Sequence, residues 1–162
     1  MKQNLQQNRK FVESVFNKVY NKYDLMNDIM SLGVHRIWKK KLIYMINPSV
    51  NQTLIDVGCG TGDIGFLYSK ATKNKSIITS VDPNKKMVEK GMDRLKKFKN
   101  IVWKVCPAEK LDVPDEMFDF YTISFGLRNT KSIKQTLNEA FRVLKKGGRF
   151  FCLEFSKIDN SH

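Results

Sequence analysis

The stretch that most constrains this chain is Leu54-Ile55-Asp56-Val57-Gly58-Cys59-Gly60-Thr61-Gly62-Asp63. Thr53 to Val57 is a short apolar run with β-branched residues, which predicts a buried parallel strand. Three glycines follow at alternate positions, and Ile64 to Ala71 then reads as a helix. A strand, a glycine-rich turn and a helix N-terminus together aim backbone N–H groups and the helix dipole at one place. Without a Cβ, the turn can be sharp and a ligand can come close. Spacing narrows the ligand. A dinucleotide loop needs glycine or alanine three residues after Gly60, and that position is Asp63. A phosphate loop needs Gly-Lys-Ser/Thr, which does not occur in this stretch. The remaining pattern is Asp-x-Gly-x-Gly-x-Gly, a cofactor loop or else a plain turn that needed glycines.

The rest of the chain supports a sheet around that strand. Ile77 to Val81, Ile101 to Val105, Phe118 to Phe125 and Arg149 to Phe155 read as further strands. Asn84 to Phe98 reads as a helix with Met87, Val88, Met92 and Leu95 inward, and Ile133 to Leu144 as another that ends at Gly147-Gly148. Ahead of the sheet, Phe11, Val12, Val15, Phe16, Val19, Tyr20 and Tyr23 form a stripe at helical spacing. Asp24 can cap a second short helix that Gly33 ends, and a third runs from about Val34 to Ile46 with Trp38, Leu42 and Met45 on its apolar side. Alternating strands and helices imply right-handed crossovers, and so an α/β fold with a doubly wound parallel sheet. The expected organisation is a single domain over 1–162, with an N-terminal helical cap at 1–50 and an α/β core at 51–157.

Composition excludes several classes. No run approaches the ~18 apolar residues of a membrane span. The three cysteines, Cys59, Cys106 and Cys152, are scattered and read as reduced. Two histidines, His35 and His162, do not suffice for a histidine-rich metal site, so no metal is expected. The net charge of +13 suits nucleic acid or anionic lipid. Lysines such as Lys39, Lys40, Lys41, Lys85, Lys86, Lys96, Lys97 and Lys99 equally suit solvated helix faces.

Candidate site residues sit where strands end. Asp82 lies 20 positions beyond Gly62 and can accept hydrogen bonds from both hydroxyls of a ribose, although Asp82-Pro83-Asn84 is also an ordinary turn and cap. Pro107-Ala108-Glu109 follows the third strand, either against an adenine ring or as a simple loop. Ser124 closes the fourth strand, and Arg128 and Asn129 after it are polar groups able to orient an oxygen-bearing substrate.

The glycine loop resembles the first motif of the class I S-adenosylmethionine methyltransferases. The resemblance becomes specific in Tyr23-Asp24-Leu25-Met26-Asn27-Asp28-Ile29-Met30-Ser31, Gly33-Val34-His35-Arg36-Ile37-Trp38-Lys39, Thr122-Ile123-Ser124-Phe125-Gly126-Leu127-Arg128-Asn129, Arg142-Val143-Leu144-Lys145 and Leu153-Glu154-Phe155-Ser156-Lys157. These resemble the ubiquinone/menaquinone biosynthesis C-methyltransferases, in order, from about residue 10 to 157. The resemblance implies a Rossmann-like fold that lacks the family's final strand pair, with S-adenosyl-L-methionine as cofactor. Cofactor contacts would fall on Asp56, Gly58, Gly60, Thr61, Gly62, Asp82, Pro107, Ala108 and Ser124, and substrate chemistry on Arg128, Asn129, Tyr23 and His35. Cys59 stands where the family usually has glycine, Pro107 where it has Asn or Asp, and Lys146 where it has a turn proline.

The implied reaction is methylation of a ring carbon in a polyprenylated benzoquinol or naphthoquinol. Carbon becomes nucleophilic once a ring hydroxyl loses its proton, and a dry, well-oriented pocket assists the charge neutralisation. The implied partners are a lipophilic quinol, an anionic membrane surface, other quinone-biosynthesis proteins and a second copy of the chain, with no nucleic acid. The expected location is cytoplasmic and membrane-peripheral in a bacterium, or else the matrix side of the mitochondrial inner membrane. A methyltransferase acting on RNA or another small molecule, and a truncated binding or scaffold protein, are the alternatives. Amino-methylating enzymes carry Asn/Asp-Pro-Pro-aromatic after the fourth strand, where this chain has Ser124-Phe125-Gly126-Leu127. The fifth strand is expected at the end of the strand order, with an open edge that invites association.

Overall fold

A computed structural model describes residues 33–154. By its internal packing the chain divides into two units, Met1–Trp38 and Lys39–His162. In the second, the strands are β1 (Leu54–Val57), β2 (Ile78–Asp82), β3 (Ile101–Val105), β4 (Phe118–Ser124) and β5 (Leu144–Leu153). Residues 33–46 form helix α1, whose 39–46 portion belongs to this unit. The later helices are α2 (Asp63–Ala71), α3 (Lys85–Arg94) and α4 (Ile133–Val143). The aromatic stripe near the N-terminus, Tyr23 and Asp24 lie outside the described residues.

All four strand pairings are parallel and the order is β3-β2-β1-β4-β5. Both faces of the sheet are covered. Alternation along β1 and β4 sends Leu54 and Phe120 to one face and Ile55 and Tyr121 to the other. The first face packs Leu42, Ile43 and Ile46 of α1 with Ile64 and Tyr68 of α2. The second packs Ala140 and Val143 of α4 with Leu111 and Phe118. Strand order reverses between β1 and β4, so the crevice outside their C-terminal ends is where such a sheet binds ligands.

Three expectations from the sequence are corrected. Met45, Met87 and Met92 are exposed at 59%, 40% and 50%, and Trp38 at 41%. On α3 the buried positions are Val88 and Gly91, with Leu95 just beyond, because Gly91 lies against Trp103 of β3 and leaves no room for a methionine. That helix stops at Arg94 rather than Phe98, and Asn84 caps its start by accepting from the Lys86 and Met87 amides. Strand β5 begins at Leu144, five residues early, and runs through Gly147-Gly148 with a bulge opposite Phe118–Phe120. It does occupy one end of the strand order. Cys59 and Cys106 are buried and Cys152 is exposed, all three as free thiols. Among the described residues no group of acidic, histidine and cysteine side chains could hold a metal, and no helix is long and apolar enough to cross a membrane.

Candidate functional site

The turn after β1 is held by its neighbour strand. The Cys59 amide donates to the Val81 carbonyl at 2.9 Å, and the Gly60 amide to Asp82 Oδ2 at 2.9 Å. Gly62 then caps α2 without any side-chain hydrogen bond, which leaves the first-turn amides facing the crevice. Its φ of 89° is one that L side chains rarely adopt. A Cβ there would also lie 2.5 Å from Trp103 Cη2 and 2.9 Å from Leu95 Cδ1. The glycine is required twice, by conformation and by the indole behind it.

Asp56 is the unusual group. It is 1% exposed, and Thr122 donates to its Oδ1 at 2.8 Å across the β1–β4 pair. Its Oδ2 is buried with no hydrogen-bond partner. Burial, tempered by the Thr122 hydroxyl and by the nearby Lys39 charge, raises its pKa to about 7. An orphaned carboxylate oxygen carries a desolvation cost of ~1–3 kcal/mol or more unless a donor arrives. Asp82 contrasts with it: Oδ2 holds the Gly60 amide and Oδ1 the Asn84 amide at 2.8 Å. A carboxylate has roughly four acceptor positions, so each oxygen retains one toward the crevice.

The next two strand ends complete the crevice. Pro107 is exposed and has no donor or acceptor side chain, while Ala108 is buried. Glu109 turns away and accepts the Lys131 and Ser132 amides at the start of α4. Burial raises its pKa, but these bonds bring the carboxyl below its usual range. On β4, Ser124 Oγ is a second buried atom without a partner. Phe125 follows at φ 56° and donates its amide to the Leu153 carbonyl at 2.7 Å. Arg128 and Asn129 are exposed in the 3-10 turn Leu127–Asn129. Glu154 supports that turn, accepting the Leu127 amide at 2.9 Å and lying 3.9 Å from Arg128 Nε.

Asp56, the three glycines, Thr61 and Asp82 are thus joined through β1 and β2, with Ser124 on the neighbouring strand. His35 is half-buried on the part of α1 that belongs to the first unit. Reasoning from the sequence missed Lys39, Arg94 and Trp103 at the glycine loop, and Glu154 at the turn after β4. Lys39 is no solvated lysine. Its ammonium lies 2.7 Å from Asp63 Oδ2, with its side chain 20% exposed. Cys59 is not a nucleophile, because burial, with Asp56 and Asp82 nearby, pushes its thiol pKa far up.

A glycine loop at the switch point of a parallel sheet, with an acid near the C-terminal end of each of the first two strands, defines a Rossmann-like cofactor-binding protein. Solved structures share the fold. A methyltransferase described as SAM dependent, from Aquifex aeolicus, matches at TM-score 0.69 and 22% identity over 76% of this chain and 67% of that one. The YcgJ protein of Bacillus subtilis matches at TM-score 0.66 and 25% identity over 75% and 52%. The ubiE/COQ5 methyltransferase family model matches residues 2–162, and the chain belongs to that family. Among curated proteins, the ubiquinone/menaquinone biosynthesis C-methyltransferase UbiE of Rickettsia bellii is 45% identical over 156 residues, 93% of this chain and 62% of that protein. The protein of the same name from Rickettsia akari is 45% identical over 157 residues, with 93% and 63% coverage. The chain therefore spans just under two thirds of these relatives' length.

Proposed function

We propose that the chain binds S-adenosylmethionine in this crevice and methylates a ring carbon of a lipophilic quinol. The observation that carries the reading is Asp56 Oδ2, a buried acceptor with no partner at the mouth of a glycine loop. The residues fit the cofactor's polar ends. Asp56 Oδ2 would take its ammonium, a charge-assisted bond that removes the orphan. The two free acceptor positions of Asp82 would take the ribose hydroxyls, and the α2 N-terminus with the Thr61 hydroxyl would face the amino-acid carboxylate. Ala108 would pack on the adenine ring, with Pro107 offering it no side-chain bond. Ser124 Oγ would face the reacting centre.

When bound, the cofactor supplies a methyl group on a positively charged sulfur. The chain's own residues then orient and dry the acceptor. Arg128 and Asn129 would hold the quinol oxygens, the guanidinium favouring the deprotonated oxygen that makes the adjacent carbon nucleophilic. The Leu127 amide and Glu154 fix the turn that carries Arg128.

The names of the Rickettsia relatives support the quinone-biosynthesis reading. A lipid-soluble acceptor and a net charge of +13 support contact with an anionic membrane surface from the cytoplasmic side. Incubation with labelled cofactor and a panel of demethylated quinols, read by mass spectrometry, tests the function. A carbon-methylated quinol is expected, and a chain that binds cofactor yet methylates none would refute the acceptor class. Anionic vesicles should recruit the protein and salt should release it.

A further inference from the structure

The glycine loop is held by two cations from other helices. Arg94, the last residue of α3, donates from Nη1 to the Thr61 carbonyl at 3.2 Å, the Thr61 hydroxyl at 3.0 Å and Asp63 Oδ1 at 2.7 Å. Lys39 of α1 donates to the other oxygen of the same carboxylate at 2.7 Å. Asp63, the first residue of α2, is thereby bridged between two cations from two other helices. Burial raises its pKa, but the Lys39 and Arg94 bonds outweigh that and bring it below the usual range. Helix α3 abuts the loop here. A Cβ on Gly91 would lie 3.1 Å from the Thr61 carbonyl oxygen and 2.4 Å from Trp103 Cη2.

We infer that Arg94 and Lys39 are positioning residues for the cofactor loop, Arg94 acting on the ligand only through Thr61 and Asp63, and Lys39 through Asp63. The inference rests on reading that loop as the cofactor site. The loop has left-handed residues at 58, 60 and 62 and few side chains of its own to hold it. Its shape must come from outside. Arg94 fixes the Thr61 peptide and side chain together, and Lys39 and Arg94 fix the first residue of the helix whose N-terminus faces the ligand. If they are removed, the loop spends part of its time elsewhere, and apparent affinity falls by the fraction of loops still competent. The shared Asp63 carboxylate is 45% exposed, and ion pairs to a solvent-reached group add little to global stability, so the effect should appear in binding more than in unfolding.

Every Arg94 contact to the loop comes from one nitrogen, which makes a specific test possible. A lysine ammonium placed there has three donors and can stand in for that nitrogen, whereas glutamine is shorter and loses both the reach and the charge. Calorimetric titration with S-adenosylhomocysteine should show Arg94→Gln weakened about tenfold, Arg94→Lys close to the parent, and Lys39→Met weakened in the same direction. Melting temperatures should stay close to the parent's. A cycle with Asp63→Asn should be non-additive, the double variant losing no more than the worse single one, as for groups acting through one another. Arg94→Gln binding as tightly as the parent would overturn the inference while leaving the cofactor reading intact. Fully additive losses would do the same by pointing to direct ligand contact. A parent chain that binds no S-adenosylhomocysteine would overturn both.

Discussion

The two ends of the β1–β4 pair hold two aspartates treated in opposite ways. At the N-terminal end, Asp119 is fully used. Its Oδ2 accepts the Thr53 amide at 2.7 Å and the Thr53 hydroxyl at 3.1 Å, and Lys145 Nζ lies 3.2 Å from both of its oxygens. Burial raises its pKa, but these bonds pull the carboxyl below its ordinary range. At the C-terminal end, Asp56 has one bond, one orphaned oxygen and a pKa raised to about 7. The sheet thus completes an acid where it needs a clamp and leaves one incomplete at the crevice where the cofactor is proposed to bind. Unsatisfied groups cost stability in the free protein, so their position is a guide to function.

The largest expected effect is on the incomplete acid. Its folded pKa lies above the ordinary value of 3.8, so between those two values the folded chain holds a proton the unfolded chain has lost. Stability therefore falls as pH rises from about 4 to about 7 and is level beyond, by at most on the order of 4 kcal/mol. Asp56→Asn keeps an oxygen for Thr122 and has no charge to bury. It should unfold at higher denaturant than the parent at pH 8, with the gain absent at pH 4, and should bind cofactor worse. A less stable variant at pH 8 would break the comparison. Next, Asp82→Ala should lose roughly 1.5–3 kcal/mol of cofactor affinity by calorimetry, the range for hydrogen bonds to a charged group. Asp119→Asn follows with the opposite sign. The contribution of Asp119 is present above its unfolded pKa and lost as pH falls through its depressed folded pKa. The variant should cost about 1–2 kcal/mol at pH 7 in denaturant unfolding and leave cofactor affinity alone. Smallest is Pro107→Asn, which returns a polar side chain to the end of β3 and should improve affinity by about 0.5–1.5 kcal/mol.

The comparison also marks how far the sequence could be read. The apolar runs of β1 to β4 and the alternation of strands and helices are local signals, and they were legible to within a residue or two. The start of β5 was not, because Lys145-Lys146-Gly147-Gly148 carries turn residues that strand pairing with Phe118 overrides. The buried side of α3 was misread because one of its positions is Gly91, which has no hydrophobic signal; only Trp103, on another element, explains it. In the site, glycine spacing and Asp82 were legible from offsets along the chain. Lys39 and Arg94 were not, since each looks like any other cation on a basic helix until the fold brings it to Asp63. The glycine motif singles out Asp56 in the sequence, but it does not show that one of its oxygens is left without a partner while Asp119 is fully bonded.

Proton release on cofactor binding tests the central claim most directly. With its pKa raised to about 7, Asp56 holds part of a proton near neutral pH in the free chain, and a ligand ammonium at Oδ2 would drive that proton off. Titration with S-adenosylmethionine in buffers of different ionisation enthalpy should show protons released near pH 7. That release should be absent in Asp56→Asn. Tight binding with the same proton count in the parent and in Asp56→Asn would contradict the account.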